Sequence, residues 1–110
     1  MKRGEVWTTA GGGEYAGKPR PAVIVQDDHF GDLGSVTIAL FTSNPTDAPL
    51  YRPLIEPNDA NGLGTQSRLM ADKVMTVPKA KLGKRIGKLG DTDMLRVNRA
   101  LLVFLGLAGA

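Results

Sequence analysis

Residues 17–26 read GKPRPAVIVQ, and this stretch sets the architecture of the chain. Lys18-Pro19-Arg20-Pro21 is a stiff, charged approach to Ala22-Val23-Ile24-Val25, an apolar run suited to a buried strand. Proline holds φ at about −65° and pushes the residue before it into extended geometry. Arg20, set between two prolines, therefore has little backbone freedom at the mouth of a core strand. A guanidinium placed rigidly there is well suited to holding a phosphate. From composition alone, an ordinary surface arginine is the simpler alternative.

The composition bounds what surrounds that strand. The chain has 110 residues, 42% hydrophobic and 23% charged, which predicts one globular domain over residues 1–110. It has no cysteine, hence no disulfide framework and no thiolate metal site. Met1-Lys2-Arg3 leads into an acidic amphipathic segment without a signal-peptide pattern, and residues 101–110 are too short and glycine-broken to span a bilayer. A cytoplasmic protein without membrane association is expected. The net charge of +3 and pI of 9.5 tilt the chain towards polyanionic partners.

Residues 4–9 alternate, with Val6 and Thr8 on one side and Glu5, Trp7 and Thr9 on the other, as in a half-buried strand. Gly11-Gly12-Gly13 open a hairpin loop that lacks the GK[ST] ending of a phosphate-cradling loop. Residues 21–26 form the second strand and 27–32 a turn. Residues 35–41 (SVTIALF) form a third strand ending in Thr42-Ser43-Asn44-Pro45, whose hydroxyls either cap a turn or face a ligand. Residues 48–57 are strand-like, but Pro49, Pro53 and Pro57 each delete a ladder donor and confine them to an edge or bulge. Residues 67–77 read as one bent strand or two short ones broken around Asp72-Lys73. Residues 78–89 carry Lys79, Lys81, Lys84, Arg85 and Lys88 with no acidic residue, and 85–87 are expected as a short final strand.

A helix is predicted over residues 91–107. Asp91 or Thr92 would cap it, with Asp93 in the first turn. Met94, Leu95, Leu101, Leu102 and Leu105 recur at helical spacing, Val97 and Phe104 widen the stripe, and Gly106 and Gly109 close it. So wide a stripe predicts packing on the sheet and on a partner subunit. The fold class is mainly β with a C-terminal helix, in a small twisted barrel.

One histidine and no cysteine leave no Cys-His pair and no zinc cluster. His29 lies in an acidic turn and reads as a solvated loop residue, and Asp27-Asp28 is weak support for magnesium. An enzyme built from this chain would work without metal or cofactor, through arginine, hydroxyl and carboxylate. Those groups suit RNA cleavage, because RNA carries its own nucleophile in the 2′-hydroxyl. A forked guanidinium stabilises charge growing on phosphate oxygens, and a threonine hydroxyl can donate to the same phosphate. With a pKa above about 12, arginine is a poor general base at neutral pH, so Arg20 is assigned to electrostatics and the base stays open.

Five ordered segments carry a wider resemblance: RGEVW at 3–7, GKPRPAVIVQ at 17–26, LFTSN at 40–44, SRLMADKVMTVP at 67–78 and KLGKRIGKL at 81–89. Together they resemble the MazF/PemK family of bacterial toxins, the Kid-like mRNA interferases, from Arg3 to about Leu107. The resemblance implies a CcdB/Kid/MazF-like barrel, usually a homodimer. It also implies cleavage of single-stranded RNA at short sequences without metal, leaving a 2′,3′-cyclic phosphate and a 5′-hydroxyl. A cognate antitoxin with an acidic, disordered tail would hold the toxin inactive. The family's catalytic arginine matches Arg20. Its catalytic threonine matches Thr42, with Ser43 as a close substitute. The aspartate used by some members matches Asp72, as a base or as a group that orients Arg20. Those members carry an arginine two positions earlier, where this chain has Met70, with Arg68 two further back.

Expected RNA contacts are Lys18, Ser43, Asn44, Arg68, Lys73, Lys79, Lys84 and Arg85, with Trp7 and Tyr15 stacking on unpaired bases. For Trp7, packing in the barrel is the alternative. Base readout is assigned to the loops at 9–18 and 44–50. Two other functions compete: a non-catalytic CcdB-like toxin acting on DNA gyrase, and an inert nucleic-acid-binding barrel.

Overall fold

The apolar runs form six antiparallel strands and one helix in a computed structural model that describes residues 1–10 and 19–108. Tyr15 and Lys18, both expected RNA contacts, and Gly109, expected to close the helix, lie outside the described residues. The strands are β1 (Glu5–Thr9), β2 (Arg20–Ile24), β3 (Ser35–Thr42), β4 (Leu54–Ile55), β5 (Ser67–Pro78) and β6 (Leu82–Lys88). Helix α1 spans Asp91–Phe104. They make one curled sheet in the order β4-β5-β3-β2-β1-β6.

Strand alternation gives the sheet two apolar faces. Val6 pairs with Val23 and Val23 with Ala39. This row packs with Phe41, Leu69 and Val97 of α1 in one core cluster. The neighbouring row, Trp7–Ala22–Leu40, belongs with Ile24, Val36 and Ile38 to a second cluster. A sheet apolar on both faces curls to cover the second, giving a half-barrel with α1 packed on the first cluster through Val97.

The ends of the sheet meet through residues 58–62. Asn61 is fully buried; its Oδ1 accepts from the Asn58 and Leu63 amides, and its Nδ2 donates to Glu56 O. The Lys88 amide donates to Ala60 O at 2.8 Å, tying this loop to β6. Gly62 sits at φ +69°, and a Cβ built there would lie 2.0 Å from Ile86 O. Both the backbone sign and the contact demand glycine at that crossing.

Several local expectations change. Residues 49–52 form a turn instead of strand, because the Tyr51 and Arg52 amides both donate to Ala48 O. Only Leu54–Ile55 is strand, and it does occupy the sheet edge. Residues 67–78 form one strand whose register against β3 slips between Ala39 and Phe41, the expected bend. The final strand runs over seven residues instead of three. Thr9 is buried and Thr8 less so, because the register of β1 on β6 shifts twice. Gly90, with no side-chain bond, caps α1, which puts Asp91 and Asp93 together in its first turn. Val97 and Ala100 carry the buried helix face, whereas Leu95, Leu102, Phe104 and Leu105 are exposed.

Candidate active site

Strand register brings the proline-flanked arginine to the end of β3. Thr9 faces Arg20 across β1 and β2. Ala22 faces Leu40 across β2 and β3, so two residues nearer the sheet end Arg20 runs level with Thr42. Thr42 in turn faces Arg68 on β5. Neighbouring strands lie about 4.8 Å apart, so Arg20 and Thr42 begin from adjacent backbones.

A cleft of about 290 Å³ opens at this end of the sheet. Pro19, Arg20 and Pro21 form one wall, Thr42 and Ser43 the second, and Thr65 and Ser67 the third, with Phe41 lining the cleft between them. Local bonds hold the hydroxyls. Thr42 Oγ1 accepts from the Asn44 amide at 3.1 Å. Asn44 Oδ1 accepts from the Thr46 amide and hydroxyl, extending the capped turn. Because a backbone N–H occupies a lone pair of Thr42 Oγ1, its own proton remains available to donate. On the third wall, Ser67 Oγ donates to Thr65 O at 3.1 Å, and Gln66 Nε2 donates to Glu56 Oε1 at 2.7 Å. A guanidinium and fixed hydroxyls around an apolar floor can hold a phosphate with one attached nucleoside.

Asp72 belongs to a different constellation and does not line this cleft. Arg52 Nε donates to its Oδ1 at 3.0 Å and Arg52 Nη2 to its Oδ2 at 2.8 Å. Both side chains are mostly buried, at 17% and 16% exposed. The guanidinium bond holds the Asp72 carboxyl below its ordinary pKa, and the same bond raises that of Arg52. The Tyr51 ring lies 6.0 Å from the guanidinium and packs on Phe104 of α1 with centroids 5.8 Å apart. Met70, at the position where some relatives carry arginine, is buried.

The remaining expected RNA contacts spread over the surface. Ser43 and Asn44 flank the cleft and are exposed, as are Lys73, Lys84 and Arg85, while Arg68 is half-buried. Arg85 Nε lies 3.5 Å from Glu5 Oε2. Trp7 Nε1 donates to Glu5 Oε1 at 3.0 Å, and the indole packs on the second core cluster, in line with a barrel-packing role. Burial raises the Glu5 pKa, but bonds from the Lys2 amide and Trp7, with nearby cations, outweigh it and leave it lowered. Lys79 is engaged: its Nζ donates to Gly31 O and its amide to Gly34 O, securing the turn between β2 and β3. His29 is exposed beside Asp27 in a short 3-10 turn. Among the described residues, no group of three or more His, Asp or Glu side chains could hold a metal ion. Likewise no helix is long and apolar enough to cross a membrane.

Sequence reasoning missed Thr65, Ser67 and Arg52. The first two stand at the start of β5, in Thr65-Gln66-Ser67, with no local signal, and only the pairing of β5 with β3 reveals them. Arg52 is twenty residues from Asp72 in the chain, beyond the reach of any spacing rule.

Residues 2–105 match the sequence profile of the PemK-like, MazF-like toxin of type II toxin–antitoxin systems. A protein of Mycolicibacterium smegmatis described as a probable endoribonuclease MazF is 57% identical over 109 residues, covering 99% of this chain and all of the relative. Among solved structures, an endoribonuclease in complex with its cognate antitoxin from a mycobacterial species superposes with a TM-score of 0.81 at 25% identity, covering 97% of this chain and 96% of that one. The Mycobacterium tuberculosis toxin MazF-mt6 shares the fold with a TM-score of 0.77 at 21% identity, over 93% of this chain and 96% of its own. The profile covers nearly the whole chain and the close relative spans it end to end; this chain belongs to the PemK-like, MazF-like family of type II toxin–antitoxin toxins.

Proposed function

We propose that the chain is the toxin of a type II toxin–antitoxin pair, an endoribonuclease that cuts single-stranded RNA in the cytoplasm. The observation that carries this reading is the cleft in which Arg20, pinned between Pro19 and Pro21, shares walls with Thr42 and Ser43. The 2′-oxygen of the substrate attacks the adjacent phosphorus, and the bond from phosphorus to the 5′-oxygen breaks. A proton leaves the 2′-hydroxyl and another reaches the departing 5′-oxygen, giving a 2′,3′-cyclic phosphate and a 5′-hydroxyl. Arg20 stabilises the charge that grows on the non-bridging oxygens, where a forked donor gains most in the transition state. Thr42 donates a hydrogen bond from its hydroxyl to the same phosphate. In this reading the steps require no metal ion.

Asp72 serves the scaffold: held ionised by Arg52, it is a weak proton acceptor and a firm anchor for the 48–53 turn. Lys73, Lys84 and Arg85 neutralise flanking phosphates. The toxin works as a homodimer through the exposed apolar side of α1, and an antitoxin with an acidic tail inhibits it, in keeping with the antitoxin complex of the mycobacterial relative.

The test is incubation of purified protein with a long single-stranded RNA in EDTA, followed by analysis of the product ends. Discrete cuts with cyclic-phosphate ends are expected from the unaltered protein, with Arg20→Ala inactive. Intact RNA, together with inhibition of DNA gyrase, would transfer the chain to the CcdB-like reading.

A further inference from the structure

The cleft has a third wall that the phosphate chemistry leaves unused. Ser67 is 6% exposed, and its proton is committed to Thr65 O at 3.1 Å, so its oxygen lone pairs are what it offers a ligand. The Thr65 hydroxyl is exposed and makes no hydrogen bond among the described residues. Neither residue is charged, and the floor between them and Arg20 includes the buried ring of Phe41. An apolar floor with neutral hydroxyls is a poor phosphate site and a good site for a flat, uncharged ring with polar edges. Single-stranded RNA presents such a ring as an unstacked base, read by hydrogen bonds along its edge. At about 290 Å³ the cleft matches one nucleoside beside the phosphate on Arg20.

We infer that Thr65 and Ser67 form a specificity wall that reads the base next to the scissile phosphate. This rests on the chain being an endoribonuclease acting at Arg20, and it adds a third element to the two loops assigned to readout by sequence. Ser67 contributes an acceptor, which favours a base presenting an N–H at that edge, and Thr65 contributes a rotatable donor. Gln66 Nε2 donates to Glu56 Oε1, which tethers the backbone between the two hydroxyls. A site built to hydrogen-bond a substrate group discriminates strongly, because a mismatched base leaves a buried polar group unpaired.

The test maps the 5′ ends produced on one long RNA by the unaltered protein, Thr65→Val and Ser67→Ala. Thr65 is exposed, and its valine replacement keeps shape while losing the hydroxyl. Both variants are expected to keep cutting while preference at one base position beside the cut relaxes by about tenfold, the scale of one lost hydrogen bond. Unchanged preference in both variants would overturn the inference, as would a uniform loss of rate at every site. RNA left intact by the unaltered protein would instead overturn the endoribonuclease reading itself.

Discussion

Two arginines in this molecule sit near β3 and β5 in opposite settings. Arg20 borders an open cleft of hydroxyls, with the Thr42 proton available to donate. Arg52 meets a carboxylate in bidentate fashion and is packed under Tyr51. The first residue lines an open cleft beside the Thr42 hydroxyl. The second is tied to a mostly buried carboxylate, so that those two charged groups satisfy one another. The contrast teaches that residue type says little about function here and that the setting of the guanidinium, open cleft or mostly buried carboxylate, says more.

The contrast is tested first at its functional pole. Arg20→Ala is expected to lower the cleavage rate by about 10²–10³-fold, the scale of losing one preorganised donor to a developing oxyanion. Thermal unfolding read alongside should move little. Thr42→Val should cost about 10–100-fold in rate, as one hydrogen bond to a charged group is lost, and Thr42→Ser should restore most of it. Failure of serine to rescue would point to the methyl group or the Asn44 turn in place of the hydroxyl.

At the structural pole the signs reverse. Arg52→Ala leaves the mostly buried Asp72 carboxylate without its partner and should destabilise the fold by about 1–2 kcal/mol, less than for a fully buried pair. That corresponds to a melting temperature lower by about 5–10 °C at this chain length, with cleavage by the folded fraction within a few-fold of normal. The smallest effect is on pH dependence. The Asp72 carboxyl titrates lower in the folded chain than in the unfolded one. Its contribution is therefore present above the unfolded pKa of about 4 and disappears as pH falls through the folded value. Asp72→Asn should flatten part of the acid limb of a melting-temperature profile, with Glu5 and Asp27, also lowered, sustaining the rest.

What was legible in the sequence was local in cause. The β-branched run at 35–41 and the apolar run at 22–25 predict strands because periodicity and propensity act on neighbours, and three prolines mark 48–57 as an edge. The same prolines hid the turn over 48–52, since spaced apolar residues between them imitate a strand. Three features rest on contacts between residues far apart in the chain, where no periodicity reaches: the meeting of Gly62 with Ile86, the Arg52–Asp72 pair, and the Thr65–Ser67 wall. The helix cap was ambiguous for a simpler reason: Asp91, Thr92 and Asp93 are all good first-turn residues, so composition could not select Gly90.

The most direct measurement sets Arg20→Ala beside Asp72→Asn on one long RNA in EDTA, with initial cleavage rates corrected for the folded fraction of each protein. Arg20→Ala should lose at least about two orders of magnitude. Asp72→Asn should stay within a few-fold of the unaltered protein while melting at a lower temperature. A folded Asp72→Asn protein as inactive as Arg20→Ala would contradict the division between cleft and clamp, and would place the carboxylate in the chemistry.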